Sequence, residues 1–123
     1  MRVLLVDDMK VNRKLLHWML EEEGHETIEA SDGKQAVELF ERERPDLVLL
    51  DVIMPVMDGY EAAQKIKALS TGRYVPIIFL TAISDDDALA KCLASGGDDF
   101  LTKPFNELIL QAKIKAHCRI QEL

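Results

Sequence analysis

The sequence has few cysteines, fewer basic than acidic residues and no long apolar run. Two cysteines in 123 residues give no disulfide framework, so we interpret both, Cys92 and Cys118, as structural thiols. No apolar run approaches the ~20 residues that span a bilayer, and the first residues are strand-like rather than a basic-then-apolar signal. With 15 scattered basic residues against 22 acidic ones, the net charge is −7, which argues against nucleic-acid or anionic-membrane surfaces. We expect a cytoplasmic location.

What the chain does contain is enough apolar residue, 48%, to bury a core, together with 30% charged residues. Linkers, repeats and low-complexity segments are missing. These features predict one globular domain over residues 1–123.

Short apolar or alternating segments recur along the chain and are too short to be core helices. They predict five strands, at residues 2–6, 26–30, 46–50, 76–80 and 98–102. The segments between them are long enough for a helix and too long for a hairpin. A β-α order repeated five times predicts a doubly wound α/β fold, a parallel sheet with helices on both faces.

The intervening segments have helical periodicity, with apolar residues three and four positions apart. Ser84 has the position of a helix N-cap, with acidic residues in the first turn after it. The last helix is predicted from about Phe105 to the end. The expected buried faces of the first three helices are Val11, Leu15, Leu16, Met19 and Leu20; Ala36, Val37, Leu39 and Phe40; and Ala62, Ala63, Ile66 and Leu69.

Polar side chains follow the predicted strands at one edge of the sheet, where ligands of such folds bind. They are Asp7 and Asp8 after strand one, Asp51 after strand three, Thr81 after strand four and Lys103 after strand five. Alone, each aspartate is an ordinary cap or turn former. Together, three carboxylates repel and at least one should protonate unless a cation compensates. Mg²⁺ fits, because it takes one or two protein carboxylates with waters and phosphate oxygens.

The same set of groups suits phosphoryl transfer. Asp51, at the end of the central apolar run, is the best nucleophile, because carboxylates form acyl phosphates. Lys103 supplies a positive charge and Thr81 a hydroxyl donor for the phosphoryl oxygens. His17, His25 and His117 lack paired ligand spacing, and we interpret them as structural or solvated.

Four motifs at their joint spacing resemble the receiver domain of two-component response regulators over essentially the whole chain. They are VDD (6–8), LLDVIMPVMDG (49–59), LTA (80–82) and TKPF (102–105). The resemblance implies a flavodoxin-like (βα)5 fold with strand order 2-1-3-4-5. It also implies a signalling switch in which Asp51 accepts a phosphoryl group from a sensor histidine kinase or phosphotransfer protein.

For individual residues, the resemblance implies that Asp8 and Asp51 ligate Mg²⁺ directly, Asp7 mostly through water, and Ile53 through its backbone carbonyl. Thr81 matches the family's switch hydroxyl, Lys103 its phosphate-binding lysine and Phe100 its rotating aromatic. On phosphorylation Thr81 should move toward the phosphoryl group and Phe100 turn inward, changing the face of the fourth helix, fifth strand and fifth helix. An ordinary core aromatic is the alternative for Phe100. The Lys103–Pro104 bond should be cis.

Two other functions compete with this interpretation. A haloacid-dehalogenase-type phosphatase also uses a nucleophilic aspartate with Mg²⁺, but it requires a second acid at the position of Ile53, and a cap domain. A flavodoxin-like electron carrier needs a phosphate-binding first loop, where Asp7 and Asp8 would repel the ligand. Within the receiver interpretation, the apolar Ile53 and Ile83 beside the pocket predict slow self-dephosphorylation, since neither orients an attacking water.

The last helix carries no stop signal, and Leu123 continues its apolar pattern. We expect Phe105, Leu108, Ile109, Ala112, Ala116 and Ile120 to pack on the sheet. Leu110 and Ile114 lie off that stripe and could join a partner helix in a homodimer. This predicts the N-terminal module of a larger response regulator that controls an output domain after Leu123 or a separate effector; a single-domain receiver with an ordinary exposed stripe is the alternative.

Overall fold

Five short apolar segments form one parallel sheet in the computed structural model, which describes residues 1–70, 72–82 and 86–121. The strands are paired in the order β2-β1-β3-β4-β5, and every pair is parallel. The predicted doubly wound (βα)5 fold and its strand order are confirmed. The strand bounds are β1 Arg2–Val6, β2 Glu26–Ala30, β3 Leu47–Asp51, β4 Ile77–Thr81 and β5 Asp99–Thr102.

A helix follows each strand, and side chains at the helix starts explain where several of them begin. Asp32 and Asp58 accept hydrogen bonds from the backbone N–H groups of Gln35 and Glu61. The last helix begins at Glu107 rather than Phe105, because Asn106 Oδ1 accepts from Ile109 N and takes the capping role. The predicted cap Ser84 lies outside the described residues. The helices are α1 Lys10–Glu22, α2 Gly33–Glu43, α3 Gly59–Leu69, α4 Asp86–Ala94 and α5 Glu107–Gln121.

The sheet separates two apolar cores. On one face β-strand side chains pack with α2, α3 and α4, through residues such as Phe40, Ile66 and Cys92. On the other face they pack with α1 and α5, through Leu16, Leu20, Leu110 and Ile114. Helices therefore cover both faces, and β1, β3 and β4 are buried on both sides, as continuous apolar strands require.

The predicted face of α5 is wrong. Leu110 and Ile114 are fully buried, whereas Leu108 is 80% exposed and Ile109 and Ile120 are also exposed. The helix is apolar on more than one side, so periodicity alone did not fix its rotation. The stripe that we assigned to a partner helix is part of the core, and Leu123 lies outside the described residues.

The predicted face of α1 is also wrong in part. Leu16 and Leu20 are buried, but Val11 is 74% exposed and Leu15 is exposed as well. The inward side of this helix instead includes His17, whose Nδ1 lies 2.6 Å from Thr27 Oγ1 on β2. In α3, Leu69 is exposed at the end of an otherwise correct face.

The two cysteines are thiols, as predicted, with Cys92 buried and Cys118 half-buried. Each histidine has a local partner. His25 lies against the chain N-terminus, and His117 contacts Tyr74 and Asp99. Across residues 1–70, 72–82 and 86–121, none of the helices is long and apolar enough to cross a membrane.

Candidate functional site

The carboxyl ends of four strands bring the predicted site residues to one edge of the sheet. Strand register places Val6 beside Leu50, Asp51 beside Leu80 and Thr81 beside Thr102. The residue that follows or ends each strand therefore lies at the same level. Lys103 is tied to this edge by a 2.8 Å hydrogen bond from its backbone N–H to the Thr81 carbonyl.

Three carboxylates form a tight cluster here. One oxygen each from Asp7, Asp8 and Asp51 lies within 4.8 Å of the others. Asp7 is fully buried and Asp51 is 6% exposed, while Asp8 is open to solvent. Among the described residues, this is the only group of three acidic, histidine or cysteine side chains with that spacing.

Asp7 is held by the first turn of α1. Its Oδ1 accepts a 2.9 Å hydrogen bond from the backbone N–H of Met9, which forms an Asx turn. Its Oδ2 accepts a hydrogen bond from Asn12 Nδ2 at 3.2 Å. Arg13 donates to the Asp7 backbone carbonyl at 2.6 Å and pairs with Glu29. Asn12 and Arg13 were missed by the sequence interpretation. Their spacing of five and six residues after Asp7, just inside a helix, was the available signal.

Lys103 is the cation of the site. Its Nζ lies 3.3 Å from Asp51 Oδ1 and 3.4 Å from Asp7 Oδ2, and its side chain is largely buried. One ammonium group thus contacts two of the three carboxylates, so negative charge in the cluster remains uncompensated. The Lys103–Pro104 peptide bond is cis, as expected.

Burial and the excess negative charge both act on the carboxyl group of Asp51. Burial and the neighbouring Asp7 raise the pKa of Asp51 from 3.8 to about 6, although Lys103 and the Val52 backbone N–H act in the opposite direction. This agrees with the expectation that one of three clustered carboxyl groups is driven toward protonation. A bound cation would relieve the same repulsion, so the chemistry of the donor set fits Mg²⁺.

Asp51 opens into a cleft of about 220 Å³. Gly59, the first residue of α3, lets this helix approach, because a Cβ there would collide with the Asp51 carbonyl oxygen. Ile53 stands at the mouth with 71% of its surface exposed. Its partner in the predicted slow dephosphorylation, Ile83, lies outside the described residues, so that expectation stays a prediction. The cleft is lined by Asp8, Met9, Asp51, Val52, Ile53, Thr81, Ala82 and Lys103.

The two predicted switch residues lie in different places. Thr81 is buried and lines the cleft. Phe100 is half-buried on the edge strand β5, beside Phe79, and packs against the core that α2, α3 and α4 cover. Lys113 Nζ lies 5.3 Å from the centre of its ring. The structure therefore brings Thr81, but not Phe100, into contact with the carboxylate cleft.

The fold is a doubly wound α/β sheet, and its carboxyl edge carries clustered carboxylates, a lysine and a hydroxyl whose chemistry suits a cation and a phosphoryl group. The family model of the response regulator receiver domain matches residues 3–115. The chain belongs to this family of phosphorylation-dependent signalling switches.

Similar proteins include both long and short ones. The chain is 38% identical over 120 residues to the response regulator PleD of Caulobacter vibrioides, covering 98% of the chain but 26% of PleD. It is 42% identical over 106 residues to the chemotaxis protein CheY of Halobacterium salinarum, covering 86% of the chain and 87% of CheY. The chain therefore spans about a quarter of the first relative and most of the second.

Solved structures agree with the fold. The receiver domain of a sensor histidine kinase from Pseudomonas aeruginosa, solved with a magnesium ion coordinated in the active-site cleft, superimposes with a TM-score of 0.86 and is 41% identical. The superposition covers 94% of each chain. At this identity the likeness extends beyond fold to sequence.

Proposed function

We propose that Asp51 is the phosphoryl acceptor of this receiver domain. The observation that carries the proposal is the position of its carboxylate, which opens into the cleft with Lys103 Nζ 3.3 Å away and the Thr81 side chain on the same wall. Asp7 is fully buried and its carboxylate is engaged by three donors. Asp8 is exposed, and within the described part of the chain Lys103 pairs with Asp7 and Asp51 rather than with Asp8. Of the three carboxylates, Asp51 is therefore the one that both opens into the cleft and lies beside the Lys103 ammonium group.

In the transfer, an Asp51 oxygen forms a bond to phosphorus as the phosphorus–nitrogen bond of a phosphohistidine donor breaks. The leaving imidazole keeps the electron pair of that bond and takes up a proton. Lys103 stays beside the acceptor and offsets charge on the phosphoryl oxygens, while the Thr81 hydroxyl donates a hydrogen bond to one of them. Lys103 already acts against the rise in the pKa of Asp51, and a bound cation would favour the ionised, nucleophilic form further.

Asp8 and Asp51 would hold Mg²⁺ directly, Asp7 mostly through water and Ile53 through its backbone carbonyl. When bound, the ion supplies positive charge for the carboxylates and the phosphoryl oxygens. The support from this chain is the cluster of three carboxylates within 4.8 Å and its incomplete neutralisation by Lys103.

The test is labelling by acetyl phosphate in the presence of Mg²⁺, followed by mass spectrometry. Asp51→Asn should abolish the adduct, and Asp8→Asn should weaken both metal binding and labelling. Glu41→Gln, at an exposed position on α2, is the control for loss of one negative charge and should label like the parent. Full labelling of the Asp51 variant would refute the assignment.

The same experiment separates the phosphatase alternative. A haloacid-dehalogenase-type enzyme would turn acetyl phosphate over continuously, whereas a receiver retains one phosphoryl group per chain for a measurable time. Ile53 has no acidic group with which to protonate a leaving group, and the family model that matches the chain is that of a receiver domain. We therefore infer a regulatory domain that catalyses only its own phosphorylation and dephosphorylation.

The phosphoryl donor is inferred to be a sensor histidine kinase or a phosphotransfer protein, in keeping with family membership. An output domain after Leu123, a separate effector, a homodimer and a cytoplasmic location remain predictions. The relatives include one of which the chain spans 26% and one of which it spans 87%, so similar proteins include a much longer chain and one of about the same length. The burial of Leu110 and Ile114 removes the stripe on which the helix-pairing argument depended.

A further inference from the structure

A lysine of α5 covers the aromatic ring of β5. Lys113 Nζ lies 5.3 Å from the Phe100 ring centre, within the range of cation–π attraction. The same ammonium group is 2.7 Å from Asp99 Oδ1, and Asp99 directly precedes Phe100. The lysine therefore bridges the strand and the helix at the position of the ring.

Asp99 is itself fixed by several donors. Its Oδ1 also accepts from the Phe100 backbone N–H at 2.8 Å, and His117 Nε2 lies 3.3 Å from its Oδ2. The other ring nitrogen of His117, Nδ1, lies 2.9 Å from the Tyr74 hydroxyl oxygen. Burial opposes ionisation of Asp99, but the hydrogen bonds from Lys113 and Phe100 outweigh it and lower its pKa. A charged carboxylate held by several hydrogen bonds thus sets the position of the Lys113 ammonium.

We propose that Lys113, anchored by Asp99, is a latch that retains Phe100 at the sheet edge in the unphosphorylated domain. An inward turn of the ring would move it away from the ammonium and lose the cation–π contact, while the ion pair with Asp99 would remain. This inference rests on the proposed switch role of Phe100 and adds a residue that sets how readily the switch operates. Lys113 is a positioning residue, because it touches neither the cleft nor the phosphoryl acceptor.

The expected effect of the latch on the population of the two ring positions is large enough to measure. A partly exposed cation–π contact favours the retained ring by roughly two- to fivefold in population. When the conformation that binds an activating ligand is a minor one, the apparent affinity of the protein for that ligand is proportional to the population of this conformation. Removing the latch should therefore tighten beryllofluoride binding and speed labelling by acetyl phosphate by roughly two- to fivefold.

Lys113→Gln is the direct test, since glutamine keeps the first part of the aliphatic stem, removes the charge and brings no thioether that would itself attract the ring. Asp99 retains the Phe100 backbone N–H and His117 as partners, so the variant should fold. Lys115→Gln is the matched control, because it removes the same charge from an exposed position two residues along α5. Beryllofluoride affinity by calorimetry and the labelling rate are measured for both variants and for the parent.

A second background separates the latch from a general effect of charge. Phe100→Leu removes the ring, so adding Lys113→Gln to it should change neither quantity. The proposal holds if Lys113→Gln alone gives the two- to fivefold gain, Lys115→Gln gives none, and the gain disappears without the ring. Equal values for Lys113→Gln and the parent, a decrease, or a gain that survives in the Phe100→Leu background would overturn it. If the parent protein itself is not labelled on Asp51, the proposed function fails, which is a distinguishable result.

Discussion

The carboxyl group of Asp51 is disfavoured as an anion by the fold that positions it. Burial and Asp7 raise its pKa to about 6, and Lys103 offsets only part of this effect. The folded protein therefore binds a proton at Asp51 more tightly than the unfolded chain does. The resulting contribution to stability is fully present below the unfolded pKa of 3.8 and is lost as the pH rises through about 6.

Asp51→Asn should accordingly stabilise the metal-free protein at neutral pH, because asparagine cannot ionise. We expect the variant to gain about 1–3 kcal/mol over the parent at pH 7.5 and much less at pH 4.5, the upper value following from the size of the pKa shift. Urea unfolding in a chelator at the two pH values gives the comparison. Glu41→Gln should show no such difference, and a parent more stable than Asp51→Asn at pH 7.5 would contradict the argument.

The site residues that could be predicted from the sequence are those placed by strand ends. Asp7, Asp51, Thr81 and Lys103 each directly follow or end a strand, so the parallel topology alone brings them together. Asn12 and Arg13 could not be found this way. Their contacts with Asp7 depend on the rotation of α1 about its axis, which the strand pattern does not determine.

At the scale of the helices, the buried faces were hard to predict because they include polar residues with local hydrogen-bond partners. On α5, Gln111 is buried because its Nε2 donates to the Met19 carbonyl, and His117 is buried against Asp99 and Tyr74. On α1, His17 turns inward to Thr27. A prediction based on apolar periodicity places such polar residues on the solvent side, and the predicted rotation of the helix about its axis is then wrong. The central strands β1, β3 and β4, which are apolar on both faces, offered no such ambiguity.

The corrected rotation of α5 predicts opposite effects for two leucines in its first turns. Leu110→Ala should cost about 2–5 kcal/mol of unfolding free energy, because Leu110 is fully buried beside Ile114 and the change leaves a cavity. Leu108→Ala, the same substitution at an 80% exposed position, should stay within about 0.5 kcal/mol. Equilibrium urea unfolding measures both. A larger loss for Leu108→Ala would restore the face that periodicity favoured.

At the scale of the whole molecule, the carboxylate cluster joins separate parts of the sheet. Asp7 follows β1 and Asp51 ends β3, so the two lie on neighbouring strands that are far apart in sequence. Unfolding disperses these groups. A cation that needs them together binds the folded chain only, and its binding free energy is added to the stability of the entire domain.

Mg²⁺ should therefore raise the melting temperature of the whole domain, and chelation should reverse the rise. At a free concentration ten times the dissociation constant, the gain is about 1.4 kcal/mol, or roughly 5 °C for a domain of this size. Asp8→Asn isolates the metal contribution, because Asp8 is exposed and its loss leaves the contacts of Asp7 and Lys103 in place. Calorimetry should show that this variant melts near the metal-free parent and gains much less from Mg²⁺. An equal rise in parent and variant would mean that the ion stabilises the domain from another place, and the assignment of Asp8 as a ligand would be wrong.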